Sequence, residues 1–321
     1  MRGFIDRRAA DIRCLDGLPC FAPDGLTPAD LRGCAYVHGL MNHYAASDDV
    51  AAWAAEAGFA RLVFPAALAA LGFGIDQYWL AAPGAPLAAL DRIEALHDRL
   101  ADAESRSLLC AILAYRLETD PRRHPPAEAG SIYRPDFLDL GREPITFVDC
   151  GAFTGDSLSA LVEAGVEIAD WLAFEPDPAN MRALAETARR HGSALRSYSL
   201  IRAGLSDEAG TAAFHAGEGA ASHLAESGEG LRIDLVRLDD VARRTGRLYI
   251  KLDIEGAEAA ALRGMAGHLA RRPLLAVSAY HRPADLWELP ELIAELYPRP
   301  VLRLRQHGHH AFDTVLYATP E

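Results

Sequence analysis

Residues 147–156 have the sequence Phe-Val-Asp-Cys-Gly-Ala-Phe-Thr-Gly-Asp, in which an apolar run leads into a glycine turn. The run is typical of a buried parallel strand, and the residues after the turn begin a helix. In an open α/β sheet, a cofactor binds at such a strand-turn-helix unit. A dinucleotide fingerprint needs glycines at 151, 153 and 156, but Phe153 and Asp156 occupy two of these positions. The turn therefore disfavours NAD.

The same turn suits a cofactor that carries an amino-acid tail instead of a pyrophosphate. We expect Asp149 to hold the ammonium group of the tail, while Gly151 and Gly155 let its carboxylate approach backbone amides at the helix N-terminus. Glu175 ends the next apolar run, where a carboxylate can accept two hydrogen bonds from ribose hydroxyls. An alternative use for each acid is to cap the following helix.

The chain after residue 144 has a regular pattern. Four apolar runs separated by helical stretches predict buried parallel strands: Ile145-Thr-Phe-Val-Asp, Trp171-Leu-Ala-Phe-Glu, Tyr249-Ile-Lys-Leu-Asp and Leu274-Leu-Ala-Val-Ser. Asp177 and Pro178 mark the start of the helix after the second run. Residues 301–305 and 314–317 flank a short polar turn, which predicts a closing antiparallel hairpin.

Two further regions precede this domain. Residues 4–6, 34–38 and 61–64 predict strands of βα units, with a helix over 49–57. Apolar residues recur at helical spacing from 83 to 118, and the prolines that follow favour an extended linker. We therefore divide the chain into an incomplete Rossmann-like N-terminal domain (1–82), a helical connector and linker (83–143) and a catalytic domain (144–321).

Composition narrows the range of partners. The net charge of -13 disfavours nucleic acid, which leaves small molecules and neutral glycans as substrates. No apolar run is long enough for a membrane span, and the charged N-terminus lacks the pattern of a secretory signal, so we expect a cytoplasmic protein. Five cysteines without a C-x-x-C pair favour reduced thiols over disulfides or a zinc site. Assembly into a homo-oligomer stays open.

The sequence resembles the FkbM family of methyltransferases over residues 131–318. The resemblance is carried by Phe147-Val-Asp-Cys-Gly-Ala-Phe-Thr-Gly-Asp-Ser157, Phe174-Glu-Pro-Asp-Pro178, Gly204-Leu-Ser-Asp207, Ile250-Lys-Leu-Asp-Ile-Glu-Gly-Ala-Glu258 and Asp313-Thr-Val-Leu-Tyr-Ala318. It implies a class I Rossmann-like methyltransferase fold and S-adenosyl-L-methionine as cofactor. It also implies O-methylation, here of a sugar or polyol hydroxyl in a glycan, nucleotide sugar or natural product.

The resemblance also implies the positions of the cofactor residues. It assigns this role to Asp149, Gly151, Gly155 and Glu175, and it places Asp207 near the adenine. Upstream, Ile132-Tyr-Arg-Pro-Asp136 is similar to the lead-in segment of some family members. By that similarity, Tyr133 covers the cofactor.

Methyl transfer from a sulfonium is an in-line displacement that holds the acceptor oxygen about 3 Å from the methyl carbon. Lys251 and Asp253 alternate onto one face of the predicted strand that begins at Tyr249, and they form the predicted polar cluster beside the acceptor. Lys251 is the only lysine, which suggests that its ammonium geometry or pKa matters. His281, at a strand end, and His223, in a loop, are the candidates for a general base.

Three alternatives accompany this prediction. Asp253, Glu255 and Glu258 are potential ligands for a Mg²⁺ ion that would replace the base, although our prediction has no metal. A second alternative is a catalytically inactive module that binds S-adenosylmethionine and serves a partner protein. The third, an NAD-dependent oxidoreductase, conflicts with Phe153 in the turn.

Overall fold

The computed structural model describes most of the chain. The described residues are 2–39, 47–59, 61–63, 78–80, 84–118, 124–128, 130–141, 143–217, 222–225, 230–242 and 246–321. Within these ranges, none of the helices combines the length and apolar character that a membrane span needs.

The N-terminal region contains two small sheets. Its elements are β1 (Phe4–Ile5), β2 (Cys14–Leu15), β3 (Leu18–Phe21), α1 (Pro28–Leu31), β4 (Ala35–Val37), α2 (Asp48–Glu56) and β5 (Arg61–Val63). Strands β1, β3 and β2 form one sheet, whereas β4 and β5 pair in parallel. Helix α2 lies between β4 and β5 in sequence, so this part is the βα unit that the pattern predicts. The predicted third strand extends to residue 64, which lies outside the described residues.

The connector forms helices, as its periodicity predicts. They are α3 (Gly84–Ala88), α4 (Leu90–Arg99) and α5 (Ala103–Glu118). Leu109, Ile112 and Tyr115 of α5 are buried, and the Ala101 N–H donates to the Leu302 carbonyl at 2.9 Å. Each buried Leu or Ile contributes about 1.5–3 kcal/mol. The connector therefore packs on the edge of the catalytic domain, while the division of the chain into three parts stays a prediction.

The catalytic domain is built on a seven-stranded mixed sheet. Its elements are β6 (Ile145–Cys150), α6 (Asp156–Glu163), β7 (Ile168–Phe174), α7 (Pro178–His191), β8 (Ser197–Ile201), β9 (Gly204–Leu205), β10 (Gly210–His215), β11 (His223–Leu224), β12 (Leu231–Val236), α8 (Leu238–Val241), β13 (Leu248–Leu252), α9 (Glu258–Gly264), α10 (Ala266–Leu269), β14 (Leu274–Ser278), α11 (Asp285–Leu296), β15 (Val301–Gln306) and β16 (Thr314–Thr319). The strand order is β15-β16-β14-β13-β6-β7-β8.

All four predicted strands belong to this sheet and are parallel to one another. They are buried because helices cover both faces, which explains their continuous apolar sequences. Strands β15 and β16 form the predicted antiparallel hairpin, and β16 pairs antiparallel with β14. The predicted α/β class and the closing hairpin are confirmed.

A second sheet of this domain was not predicted. Strands β9 to β12 form it in the order β11-β10-β12-β9. Two of its strands have only two residues, and the two six-residue strands are partly exposed, so none of them has the continuous apolar run that marks the central sheet. This sheet contributes one wall of the cavity described next.

Candidate active site

A cavity of about 730 Å³ opens at the carboxyl ends of the parallel strands. Its lining includes Gly151 after β6, Glu175 after β7, and Asp253 after β13. The second sheet adds apolar side chains that include Phe214 and Ile233. This is the edge at which open α/β sheets bind ligands, because the loops after successive parallel strands meet there.

The glycine turn is held close to the end of β13. Gly151 has a left-handed backbone (φ 78°), and a Cβ at this position would lie 1.9 Å from the Asp253 carbonyl oxygen. A side chain would therefore separate the turn from the strand. The N–H groups of Gly151 and Ala152 both donate to the Phe174 carbonyl at 3.0 Å, which joins the turn to the end of β7.

Gly155 has a different role from the one that the sequence suggests. It begins α6 with φ 84°, and a Cβ would lie 2.7 Å from Thr187 of α7. Gly155 does not belong to the cavity lining, whereas Phe153 and Asp156 do. The glycine is thus required by helix packing, and we do not assign it direct contact with the cofactor carboxylate.

Glu175 lies at the cavity wall and is fixed by the backbone on either side. Its Oε2 accepts from the Phe153 N–H at 2.9 Å and its Oε1 accepts from the Asp177 N–H at 2.8 Å. Burial raises the pKa of Glu175 to about 7, although both backbone hydrogen bonds oppose this shift. The Asn180 side chain is a third hydrogen-bond donor, so the carboxylate keeps one of its four lone-pair sites for a ligand.

Asp149 and Lys251 form a buried ion pair beneath the turn. Lys251 Nζ lies 3.2 Å from Asp149 Oδ1 and donates to the Gly151 carbonyl at 2.6 Å. Burial opposes the charge on Lys251, but Asp149 and Asp253 outweigh it and raise the pKa of the lysine. Burial raises the pKa of Asp149 to about 6 against the attraction of Lys251.

The position of Asp149 corrects the expected direct contact with an ammonium group. Asp149 is fully buried and does not line the cavity, whereas Lys251 does. Lys251 lies between the carboxylate and the carbonyl of the turn, so Asp149 acts on the turn through this lysine. The sequence alone could not show that Lys251, and not Asp149, faces the cavity.

Asp253 is placed at the cavity by the end of β13. Its Oδ2 accepts from the Tyr133 hydroxyl at 3.3 Å, and the Ser278 side chain also hydrogen-bonds to this carboxylate. Burial opposes ionisation, but Lys251 and His281 outweigh it and lower the pKa of Asp253. Tyr133 also lines the cavity, with the Lys251 ammonium 5.5 Å from its ring centre.

His281 is enclosed by three carboxylates. Its Nδ1 lies 2.8 Å from Glu258 Oε1, and its Nε2 lies 3.4 Å from both Asp253 Oδ1 and Glu255 Oε1. Burial disfavours the charged ring, but Glu258 and Glu255 outweigh it and raise the pKa of His281 well above its usual range. A histidine that already carries a proton cannot accept one, so this geometry does not support His281 as the general base.

Two other predicted residues lie outside the cavity lining. Ser222 and Leu224, on either side of His223, line the cavity. Because side chains alternate along a strand, His223 of β11 lies on the face of the sheet away from the cavity, where its ring lies 5.1 Å from that of His215. Asp207 accepts from the Ser206 hydroxyl at 3.2 Å, while Leu205 lines the cavity in its place. The structure therefore supports neither His223 as a base nor Asp207 as a contact to the adenine.

An aromatic group at the cavity was not predicted from the sequence. Its members are Tyr78, Tyr280 and Phe312, which line the cavity together with Asp313. Tyr280 follows the end of β14, so the same strand-end rule that selected His281 would have found it. Tyr78 and Phe312 come from loops that no local pattern connects to the site.

The chemistry of the lining fits S-adenosylmethionine. Glu175 offers an oxygen to a ribose hydroxyl, and the apolar side chains of Pro176, Leu205 and Ile233 suit an adenine ring. Below the amino-acid end, Asp149 is paired with Lys251, whose ammonium lies 3.2 Å from its Oδ1. Within the described part of the chain, no group of three or more His, Cys, Asp or Glu side chains is arranged to hold a metal ion.

Comparison with known proteins gives a consistent result. Residues 149–310 match the methyltransferase FkbM domain. The structure is similar to the crystal structure of methyltransferase FkbM from Methylobacillus flagellatus, with a TM-score of 0.80, 25% sequence identity, and coverage of 98% of this chain and 82% of that chain.

Two other solved structures are more distant. The precorrin-6y C5,15-methyltransferase from Geobacter metallireducens has a TM-score of 0.36 at 14% identity, covering 56% of this chain and 82% of its own. A Podospora anserina methyltransferase with bound S-adenosylhomocysteine has a TM-score of 0.31 at 12% identity, covering 73% and 88%. Neither similarity is close enough to carry an argument. No curated protein matches the sequence.

Proposed function

As the chain belongs to the FkbM methyltransferase family, we propose that the methyl group it transfers from S-adenosylmethionine goes to a hydroxyl oxygen of a sugar or polyol. The family, the Rossmann-like methyltransferase fold, the enzymatic activity and the cofactor are as the sequence predicts. The acceptor and the residues that act on it are the proposal.

The proposal rests chiefly on Asp253. Its Oδ1 lies 3.4 Å from His281 Nε2, while Tyr133 holds Oδ2 at 3.3 Å. The Asp253 side chain lines the cavity and is 27% exposed, so its carboxylate can still accept a hydrogen bond from a ligand that brings an O–H group. An acceptor hydroxyl would supply that donor.

The chain's own residues have separate tasks in the reaction. When bound, S-adenosylmethionine supplies an electrophilic methyl group and a neutral leaving group. Glu175 would hold the ribose, and Lys251 fixes the glycine turn below the amino-acid end through the Gly151 carbonyl. Asp253 would accept the hydrogen bond of the acceptor hydroxyl and take its proton as the new O–C bond forms.

His281 and Glu258 would position Asp253. Glu258 Oε1 contacts His281 Nδ1 and also accepts from the Ile254 N–H at 2.9 Å, so the imidazole is held in one orientation. The protonated ring then places a positive charge 3.4 Å from Asp253 Oδ1. This charge keeps Asp253 ionised and ready to accept a hydrogen bond.

We also propose that the protein works in the cytoplasm, in the assembly of a glycan or natural product. All five cysteines are free thiols, with Cys150 buried and the other four at least partly exposed, which suits a reducing compartment.

The experiment is a methyl-transfer assay with a panel of sugars, polyols, catechols, amines and thiols, followed by NMR of the product. We expect new O-methyl signals from sugars or polyols only. We expect Asp253→Asn to lower kcat by about 10²–10⁴-fold. The Kd for S-adenosylmethionine should change less than about threefold, because Asp253 lies toward the acceptor. Transfer to nitrogen or sulfur alone would refute the proposal, and binding without any transfer would favour an inactive module.

A further inference from the structure

The acceptor end of the cavity is distinct from the cofactor end. Glu175 follows β7 and Tyr280 follows β14, and these strands are three positions apart in the sheet. Three inter-strand spacings of about 4.8 Å separate the two ends by roughly 14 Å. The cofactor residues therefore occupy one side of the cavity, and Tyr280 lies on the side left for the acceptor.

Three aromatic rings form the wall of this acceptor end. Tyr78 and Tyr280 are stacked with ring centres 6.1 Å apart, and Phe312 meets both edge-on at 5.2 and 6.0 Å. Such a wall packs well against the apolar face of a sugar ring, and it also attracts a protonated amine. A flat apolar wall alone would accept many ligands, so the charge around it must supply the selectivity.

The charge of the lining is strongly negative. Five lining residues carry carboxylates: Asp156 and Glu175 lie toward the cofactor, and Asp253, Glu255 and Asp313 lie toward the acceptor, whereas Lys251 is the one cation among the described lining residues. Lys251 is only 3% exposed and is already occupied by Asp149 and the Gly151 carbonyl. It is therefore not available to bind a phosphate.

The buried cluster behind the lining does not reverse this charge. Two cations, Lys251 and His281, face four carboxylates: Asp149, Asp253, Glu255 and Glu258. The His281 side chain is 1% exposed, and its Nε2 lies 3.4 Å from both Asp253 Oδ1 and Glu255 Oε1 at the cavity. A phosphate near these groups would be repelled, whereas a protonated amine would be attracted.

Tyr78 brings the N-terminal part of the chain into this specificity. It lies outside residues 149–310, which match the family domain, and its ring centre is 6.2 Å from that of His281. Its backbone is left-handed (φ 53°), a conformation that a bulky residue adopts only where tertiary contacts hold it. Tyr78 thus covers the acceptor end from outside the family domain.

From this wall and this charge, we infer that the acceptor is an unphosphorylated carbohydrate, best matched when it carries a protonated amine, and that phosphosugars and nucleotide sugars are excluded. The inference rests on the proposed function and narrows its substrate class. Tyr78, Glu255 and Asp313 are the residues that would determine this specificity.

The test is equilibrium binding to protein saturated with S-adenosylhomocysteine, which does not depend on turnover. The probes are a glucosamine tetramer, an N-acetylglucosamine tetramer and UDP-N-acetylglucosamine. We expect the glucosamine tetramer to bind at least about tenfold more tightly than the UDP sugar at low salt. The preference should shrink as salt is raised, because exposed charges are screened.

Matched variants assign the preference to named residues. Glu255→Gln and Asp313→Asn keep the side-chain shape, and each should reduce the preference for the glucosamine tetramer over the UDP sugar by several-fold. Glu186→Gln, at an exposed position of α7, removes the same charge and should leave this preference unchanged. Tyr78→Ala should weaken both tetramers, and Tyr78→Phe should restore their binding.

Two results would overturn the inference: tighter binding of the UDP sugar, or no binding of either tetramer at millimolar concentration. Neither result affects the proposed function, which the methyl-transfer panel tests separately through its products. An enzyme that O-methylates nucleotide sugars would keep the proposed function and exclude this inference.

Discussion

Lys251 shows how one side chain connects the interior of the sheet to the site. Its ammonium contacts Asp149, the Gly151 carbonyl and the ring of Tyr133. As the only lysine of the chain, it is singled out by the sequence and predicted to lie beside the acceptor. In the structure its contacts are with the glycine turn, so its effect on catalysis passes through the position of that turn.

Removal of the lysine should therefore cost stability. Lys251→Met leaves Asp149 as a buried carboxylate without its counter-ion, which should lower the free energy of unfolding by about 3–5 kcal/mol. Denaturant titration measures this change. The double variant Asp149→Asn/Lys251→Met should recover a large part of the loss, and a double variant as unstable as the single one would contradict the ion-pair interpretation.

Glu175 predicts a pH dependence of the cofactor-free protein. Its pKa is raised from 4.5 to about 7 by burial, so the folded state binds its proton more tightly than the unfolded state does. Below pH 4.5 both states are protonated and the group has no effect, whereas above that pH the unfolded state ionises first and stability falls until about pH 7.

Relative to Glu175→Gln, the wild type should thus lose roughly 2–3 kcal/mol of unfolding free energy between pH 4.5 and pH 7.5. Thermal and urea unfolding of both proteins across this range measures the difference. The glutamine side chain has one acceptor oxygen instead of two, so it loses one hydrogen bond from a backbone N–H. This loss of stability is the same at every pH. Parallel pH curves for the two proteins would show that Glu175 ionises normally.

At the scale of elements, the glycine turn joins three strands. The N–H groups after β6 bind the carbonyl that ends β7, and the Asp253 N–H donates to the Cys150 carbonyl at 3.1 Å. Helix α7 begins next to this turn with Asp177 as its cap, where Oδ1 accepts from the Ala179 N–H at 2.7 Å. The site therefore has the rigidity of the sheet ends on which it is built.

Gly151→Ala should disrupt this junction. The added Cβ meets the Asp253 carbonyl oxygen in a left-handed backbone, so we expect a loss of about 2–4 kcal/mol and at least about tenfold weaker binding of S-adenosylmethionine. Gly165→Ala is the matched control, because Gly165 has φ 76° but no neighbouring atom within 4 Å of the place that a Cβ would take. It should show only the backbone strain, with unchanged cofactor binding by calorimetry.

At the scale of the molecule, a buried polar chain connects the N-terminal part to the closing hairpin. His38 Nε2 and His310 Nε2 lie 2.8 and 2.9 Å from the Ser47 hydroxyl, and Tyr115 of the connector lies 3.1 Å from His310 Nδ1. All four side chains are buried. Regions that the sequence separates are thus in direct contact around His310.

This contact should be sensitive to acid. Burial, together with His124, His38 and His309, lowers the pKa of His310 from 6.5 to about 3. A base with a lowered folded-state pKa contributes stability that is complete above pH 6.5 and is lost as the pH falls toward 3. The unfolding free energy should fall by roughly 2–3 kcal/mol between pH 7 and pH 4 through this group.

The measurement compares wild type with His310→Gln, which keeps a polar side chain but does not titrate. The variant should be less stable at pH 7 and less steeply destabilised by acid. His97→Gln is a control, because His97 is half-exposed on α4. An equal acid slope for wild type and His310→Gln would contradict the prediction.

Much of the catalytic domain could be predicted because its signals are local. The four apolar runs, the Asp177 cap and the closing hairpin follow from residues within a few positions of each other. The second sheet was missed because two of its strands have only two residues and the two longer ones are partly exposed, which breaks the apolar run. The division of the first 143 residues stays a prediction.

The site residues divide in the same way. Gly151, Glu175, Lys251 and Asp253 line the cavity, as does Tyr133, which the family resemblance suggested. Asp149, Gly155, Asp207 and His223 do not belong to this lining, and the roles of all these residues stay predictions. The sequence shows the type of each site residue and its place along the chain. It does not show which residue, distant in sequence, each side chain contacts.

Four buried strands, the closing hairpin, the tight turn after residue 150 and the family could be read from the chain alone, because hydrophobic period and backbone freedom are properties of short segments. The order of strands in the sheet, the position of Asp149 behind Lys251, the carboxylates around His281 and the stacking of Tyr78 on Tyr280 came only from the folded molecule. These features depend on burial and charge between residues far apart in the chain, and such pairings form only when the sheet brings them together.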